Sequence, residues 1–149
     1  MLSSMLTIGY IRVASVGKHS DQSVSVQAQT IRERVAAQHA DLELIADTGQ
    51  SGRNLNRPGL QRMLLLIAAG KVQCVVVTRF DRLTRSQEDF VRLLEQLDRH
   101  GVSLVSVEAS FDSRSRADRS FMNIMVGLAK FQQYRDRSIA SGAGQSHAV

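Results

Sequence analysis

Short β-branched apolar runs alternate along this chain with stretches whose apolar positions recur every three or four residues. Leu6 to Val13 (LTIGYIRV), Leu42 to Asp47 (LELIAD), Val72 to Thr78 (VQCVVVT) and Val102 to Glu108 (VSLVSVE) read as strands. The third is apolar on both faces, which predicts a central strand. Between them, Ser25 to His39 spaces Val26, Ile31 and Val35 near a helical repeat. Pro58 suits the first turn of a helix running to Ala69, which Gly70 ends. Ser86 to His100 puts Phe90, Leu93, Leu94 and Leu97 on one face and stops at Gly101. The expected architecture is α/β: an open, mostly parallel sheet in the order β-α-β-α-β-α-β, with helices on both faces.

From Asp118 the pattern becomes one long amphipathic helix, with Phe121, Ile124, Met125, Leu128 and Phe131 at helical spacing. It has no following strand to cross back to, and so either lies on the sheet or projects to pair with another subunit. The small, polar SIASGAGQSHAV tail reads as disordered.

At 149 residues the chain has the length of one domain, enough to bury roughly 70% of its unfolded surface. Cys74 is the single cysteine, so no disulfide forms within the chain. A small residue inside an apolar strand, it reads as core. His19, His39, His100 and His147 are scattered, which argues against a zinc site. The longest apolar run, Met63 to Ala69, falls well short of the ~20 residues of a membrane span. These features together point to a cytoplasmic protein.

Charge changes the picture more. The net charge is +5, and the 19 basic residues include only three lysines (Lys18, Lys71, Lys130), leaving 16 arginines. Arginine presents a rigid fork matched to phosphate or carboxylate. A GC-rich genome would also enrich arginine, so position has to decide between the two explanations.

Ligands of open α/β sheets bind beyond the carboxyl ends of the strands. There this chain carries Arg12 and Ser15 after the first strand. Ser51, Arg53 and Arg57 follow the second, and Arg79, Asp81, Arg82 and Arg85 follow the third. The lysine and glycine spacing of a nucleotide-binding phosphate loop is missing, and no carboxylate pair with a histidine stands ready for acid–base work. Such a cluster suits holding a phosphodiester while a serine hydroxyl attacks phosphorus.

The segments GYIRV, DQSVSVQAQ, DTGQSGRNLNRPGLQRML, VVVTRFDRLTRS, LDRHGVSLVSVEASFD and NIMVGLAKF, in this order and spacing, resemble the catalytic domain of the serine recombinases of the resolvase and invertase family. The resemblance implies a resolvase-like sheet with a long C-terminal helix. It also implies DNA strand exchange through a 5′-phosphoserine linkage, without ATP or an obligatory metal or other cofactor. The implied partners are duplex DNA and further copies of the chain, a homodimer that becomes a tetramer on synapsis. Arg12, Arg57, Asp81, Arg82 and Arg85 match the family's active-site residues. Gln22, Gln27 and Ser51 match residues near the phosphate. Asp81 has a second reading, in which it only orients the arginines around it.

Two departures accompany the match. The family's nucleophile directly follows Arg-Val, where this chain has Ala14, and Ser15 comes one residue later. Neighbours in extended chain point to opposite faces, so Ser15 reaches the pocket only through a backbone irregularity. Either Ser15 is the catalytic nucleophile, or the domain binds without cleaving. Ser20 and Ser23 are further hydroxyls nearby. The family's Glu-Arg pairs along the last helix are reduced here to Arg135 and Arg137. Residues 1–142 are expected to form the catalytic domain and 143–149 a disordered tail, with the family's DNA-binding domain absent. A small-molecule phosphate binder of flavodoxin-like form fits the fold class but leaves the arginine cluster unexplained.

Overall fold

The computed structural model describes residues 4–14, 23–38 and 40–146. Five strands, β1 (Leu6–Val13), β2 (Asp41–Thr48), β3 (Val72–Val77), β4 (Ser103–Ser106) and β5 (Phe111–Asp112), form one sheet in the order β2-β1-β3-β4-β5. The first four are parallel. The two-residue β5 returns antiparallel to β4 and was not anticipated, because two residues carry no periodicity to read. As its apolar run predicts, β3 lies in the middle.

Helices α1 (Val24–Ala36), α2 (Pro58–Ala68), α3 (Gln87–Arg99) and α4 (Arg116–Ser146) cover the sheet. Their distribution follows from handedness. The chain steps from β1 outward to β2, then reverses across β1 to β3 and continues to β4. Right-handed crossovers therefore put α1 on one face and α2 and α3 on the other. Ala28, Ile31 and Val35 of α1 pack with Ile11, Cys74, Val76 and Val105. Leu60, Met63 and Ile67 of α2 and Leu93, Leu94 and Leu97 of α3 pack with Ile8, Tyr10, Val75, Val77 and Leu104. Each fully buried aliphatic side chain contributes about 1.5–3 kcal/mol.

Caps fix where the helices begin. Ser23 Oγ accepts from Val26 N at 3.2 Å at the start of α1, so this hydroxyl is engaged in capping. Ser86 caps α3 through Asp89 N at 3.3 Å. Ser115 Oγ accepts from Asp118 N at 3.3 Å, starting α4 two residues before the expected Asp118.

α4 packs along α3 with Met122, Val126 and Ala129, all buried. Met125 is half-buried against the core, whereas Phe121, Ile124, Leu128 and Phe131 are exposed. The expected stripe thus divides between two faces. The helix also runs through Ser146, where a disordered tail over 143–149 was expected. Isolated glycines such as Gly142 and Gly144 cost a helix only about 1 kcal/mol each and need not end it. Residues 147–149 lie outside the described residues.

Candidate active site

The reversal of strand order falls at β1 and β3, and the crevice beyond their carboxyl ends is where an open α/β sheet binds ligands. Alternation along β1 sends Tyr10 and Arg12 to the α2 face, since Tyr10 packs with α2 and Ile11 with α1. Arg12 emerges from the end of the strand into this crevice, fully buried. Its Nη2 donates to the Asp81 carbonyl at 2.8 Å, Nε to the Arg82 carbonyl at 3.2 Å and Nη1 to the Gln50 carbonyl at 3.2 Å.

The carbonyls of Asp81 and Arg82 belong to a single 3-10 turn, Phe80–Arg82, two residues beyond β3. Arg82 is also buried, and its Nη1 donates to the Arg12 carbonyl at 3.2 Å. The same Arg12 carbonyl accepts from Gln27 Nε2 at 3.1 Å. Gln27 is therefore a buried brace from α1 onto the Arg12 backbone. Asp81 is half-buried and pairs with Arg79 at 3.0 Å and with Arg82 Nε at 3.6 Å.

Arg57 immediately precedes α2 and is buried as well. Its Nη1 donates to the Tyr10 hydroxyl at 2.9 Å and to the Arg82 carbonyl at 3.2 Å, its Nε to the Asn54 carbonyl at 3.2 Å, and its Nη2 to the Leu83 carbonyl. The guanidinium carbon lies 5.6 Å from the Tyr10 ring centroid. Tyr10 in turn donates to Asp47 Oδ2 at 2.6 Å. That carboxylate also accepts from Gly59 N at 2.7 Å and Leu60 N at 2.9 Å, two of the unpaired amides of the first turn of α2. A Cβ on residue 59 would lie 2.8–2.9 Å from the carboxylate atoms, so glycine is needed for this approach.

Burial dominates the electrostatics. It pulls the Arg12 guanidinium below the ordinary arginine range, and the neighbouring charges of Arg57, Arg85 and Arg82 act in the same direction. Burial likewise lowers Arg57, while Tyr10 and Asp47 oppose the shift. The Tyr10 hydroxyl is pushed far above the usual phenol range, first by burial and then by its hydrogen bond to Asp47.

Of the residues the sequence singles out, the structure brings together Arg12, Arg57, Arg82 and Gln27, with Asp81 at their edge. Arg85 and Ser51 stand on the exposed side, where Ser51 Oγ accepts from Arg53 N at 3.1 Å. Ala14 is half-buried in a bend after β1. Ser15 and Gln22 lie outside the described residues. Sequence reasoning missed Tyr10 and Asp47. A signal for both was present, because Tyr10 is two residues before Arg12 and shares its face, and parallel register sets Asp47 beside Arg12. Among the described residues no group of three or more His, Cys, Asp and Glu side chains could hold a metal ion. No helix among them is long and apolar enough to cross a membrane.

This arrangement, three buried arginines crossing between β1, the α2 start and the β3 turn, occurs in a chain that matches the resolvase N-terminal domain over residues 7–142. The chain belongs to the resolvase family of serine recombinases. The resolvase-type domain is 35% identical over 129 residues to the DNA-invertase hin of Salmonella typhimurium, covering 87% of this chain. It is 32% identical over 128 residues to the serine recombinase gin of Escherichia phage Mu, covering 86%. It spans 62% of the length of the first relative and 60% of the second. Among solved structures, the catalytic domain of TP901-1 integrase shares the fold with a TM-score of 0.76 at 24% identity, over 88% of this chain and 98% of that one. A serine recombinase from Sulfolobus solfataricus aligns at 32% identity with a TM-score of 0.59, over 70% of this chain and 69% of that one.

Proposed function

We propose that residues 1–142 are the catalytic domain of a site-specific recombinase that cuts and rejoins duplex DNA through a 5′-phosphoserine linkage. A serine oxygen attacks phosphorus and the bond to the 3′ oxygen breaks. The proton lost by the serine is balanced by the one the 3′ oxygen takes up, and the phosphoryl bond is carried on the enzyme. No energy source or cofactor is then required for rejoining. The observation that supports this reading is the convergence of Arg12, Arg57 and Arg82 at the strand-order reversal, with Arg85 exposed beside them. Fixed positive charge at that point favours the developing charge of a phosphoryl transition state.

Ser15 is the proposed nucleophile, with Arg12, Arg57, Arg82, Arg85 and Asp81 as the catalytic surround and Gln22, Gln27 and Ser51 near the phosphate. The exposed residues Phe121, Ile124, Leu128 and Phe131 suit pairing of α4 with a second copy, and a dimer of dimers on DNA follows from strand exchange between two duplexes. The proposed compartment is the cytoplasm.

Ala14 favours a second reading, a DNA-binding and oligomerisation module that does not cleave. Trapping covalent protein–DNA adducts on a nicked duplex separates the two. Adducts formed by the parent and abolished by Ser15→Ala support Ser15 as nucleophile. Adducts formed only by Ala14→Ser support the inert module. No adduct from either protein overturns the recombinase reading.

A further inference from the structure

We infer that Thr84, through its hydroxyl, is a positioning residue that latches the loop carrying Ser51 across the arginine cluster. The inference rests on the recombinase reading for its consequence in catalysis, but its geometry stands alone. The loop between β2 and α2 crosses the mouth of the site, and its midpoint is the buried Gly52. The Gly52 carbonyl accepts two hydrogen bonds, from Arg85 N at 2.9 Å and from Thr84 Oγ1 at 3.1 Å.

The hydroxyl's proton is thereby committed to Gly52. Its lone pair accepts from Ser86 N at 3.1 Å, and Ser86 is the residue that caps α3. Thr84 is buried, so no solvent competes for either bond. One hydroxyl thus ties the Ser51 loop to the loop of Arg82 and Arg85 and, through Ser86, to the start of a rigid helix.

The clearance around Gly52 makes the latch consequential. A Cβ at this position would lie 3.0 Å from Arg12 Nη2 and 3.1 Å from Arg85 Cγ. The backbone therefore fills the space between the buried Arg12 guanidinium and the stem of the exposed Arg85. Upstream the loop is held by Gln50 N on the Val13 carbonyl at 3.2 Å and by Arg12 Nη1 on the Gln50 carbonyl at 3.2 Å. Downstream it is held by Arg57. Among the described residues, the bonds to the Gly52 carbonyl are what set its height at the midpoint, and Thr84 supplies the one that comes from a side chain. Loss of the hydroxyl frees the loop centre to move relative to Arg12 and Arg85, and a displacement of about 1 Å in a phosphoryl-transfer site costs up to ~100-fold in rate.

The test compares Thr84→Val, which keeps the shape and removes the hydroxyl, with Thr84→Ser, which keeps the hydroxyl. Amide exchange at Arg85, whose N–H shares the Gly52 carbonyl, is expected to quicken about tenfold in the valine variant and to stay near the parent in the serine variant. Affinity for a short duplex should remain within about twofold in both. On whichever background forms adducts, the parent or Ala14→Ser, the adduct-forming rate should fall about tenfold or more in the valine variant and recover in the serine variant. Unchanged Arg85 exchange in Thr84→Val overturns the latch, as does equal loss in both variants. If neither background forms adducts, the recombinase reading fails while the exchange measurement still decides the latch.

Discussion

Arg12 and Arg82 hold each other through their backbones: Arg12 Nε donates to the Arg82 carbonyl and Arg82 Nη1 to the Arg12 carbonyl, each at 3.2 Å. Two like charges are kept side by side by bonds that neither forms to the other's side chain. The carbonyl oxygens supply the negative partial charge that makes the pairing tolerable in a buried setting.

Arg82 and Arg85, three residues apart and equivalent in sequence, should therefore behave differently on substitution. Arg82→Ala removes a buried, hydrogen-bonded group and should lower stability by about 1–3 kcal/mol, with relief of repulsion against Arg12 keeping the loss from being larger. Arg85→Ala removes an exposed side chain and should change stability by less than about 0.5 kcal/mol. Position in a loop beyond a strand thus protects the fold from the loss of Arg85 but not from the loss of Arg82, whose side chain is buried. Urea denaturation of the two variants beside the parent checks the difference, and equal midpoints would contradict it.

Tyr10 gives the domain an alkaline limit. Its folded-state value is raised above the ordinary 10.0, so folding stabilises the neutral phenol. That stability is fully present below pH 10.0 and is lost as pH rises beyond it, because the unfolded chain then releases a proton that the folded one keeps. The Cys74 thiol, raised by burial from 9.0 to about 11, contributes in the same sense over that interval. Tyr10→Phe should lose about 1–3 kcal/mol at neutral pH, since Asp47 and Arg57 each lose a partner. It should also flatten the decline in melting temperature expected of the parent above pH 10.0. Parallel declines in the two proteins would remove Tyr10 from this role.

Much of this fold is legible in the sequence, because β-branched runs and helical spacing are local signals. β1 coincides with its predicted span, and most other long elements are displaced by one or two residues at their ends, whereas α1 stops three residues before the expected His39 and α4 runs on through the expected tail. The convergence of arginines is legible for a topological reason, since parallel strands bring their carboxyl ends to one edge. What the sequence does not reveal is which way each guanidinium turns. Arg12 and Arg57 look like phosphate ligands in a loop, yet in the fold they donate to carbonyls contributed by residues 25 to 70 positions away. The division of the α4 stripe is hidden for a similar reason. Met122 and Met125 differ by less than one helical turn, and only the position of α3 decides which is buried.

Self-association should run through the exposed side of α4. Ile124 is 70% exposed, and Phe121, Leu128 and Phe131 lie within helical reach of it. An exposed apolar strip of this kind suits a seam between two copies of the chain. Ile124→Glu places a charge on the strip without touching the face packed on α3. It should shift the sedimenting species toward monomer and leave the melting temperature within a few degrees. Met125→Glu, by contrast, should lower the melting temperature, because Met125 packs against the core. Unaltered sedimentation of the Ile124 variant would rule out this seam.

Binding to duplex DNA should be governed by the arginines that remain on the surface. Arg12, Arg57 and Arg82 are buried, and Arg12 and Arg57 donate from all three guanidinium nitrogens to the protein, so the first contacts with a phosphate backbone fall to exposed residues such as Arg53 and Arg85. Each phosphate neutralised releases condensed counterions, and the logarithm of affinity falls with the logarithm of salt by about 0.9 per contact. Arg53→Ala and Arg85→Ala should therefore each reduce the slope by roughly that amount and weaken binding to every sequence alike. Arg82→Ala should change the slope far less, even where it lowers stability, because its charge lies beneath the surface. Fluorescence anisotropy at several salt concentrations, with two unrelated duplexes, separates these outcomes. A slope unchanged by Arg85→Ala, or a loss confined to one duplex, would show that the exposed arginines do not carry the encounter.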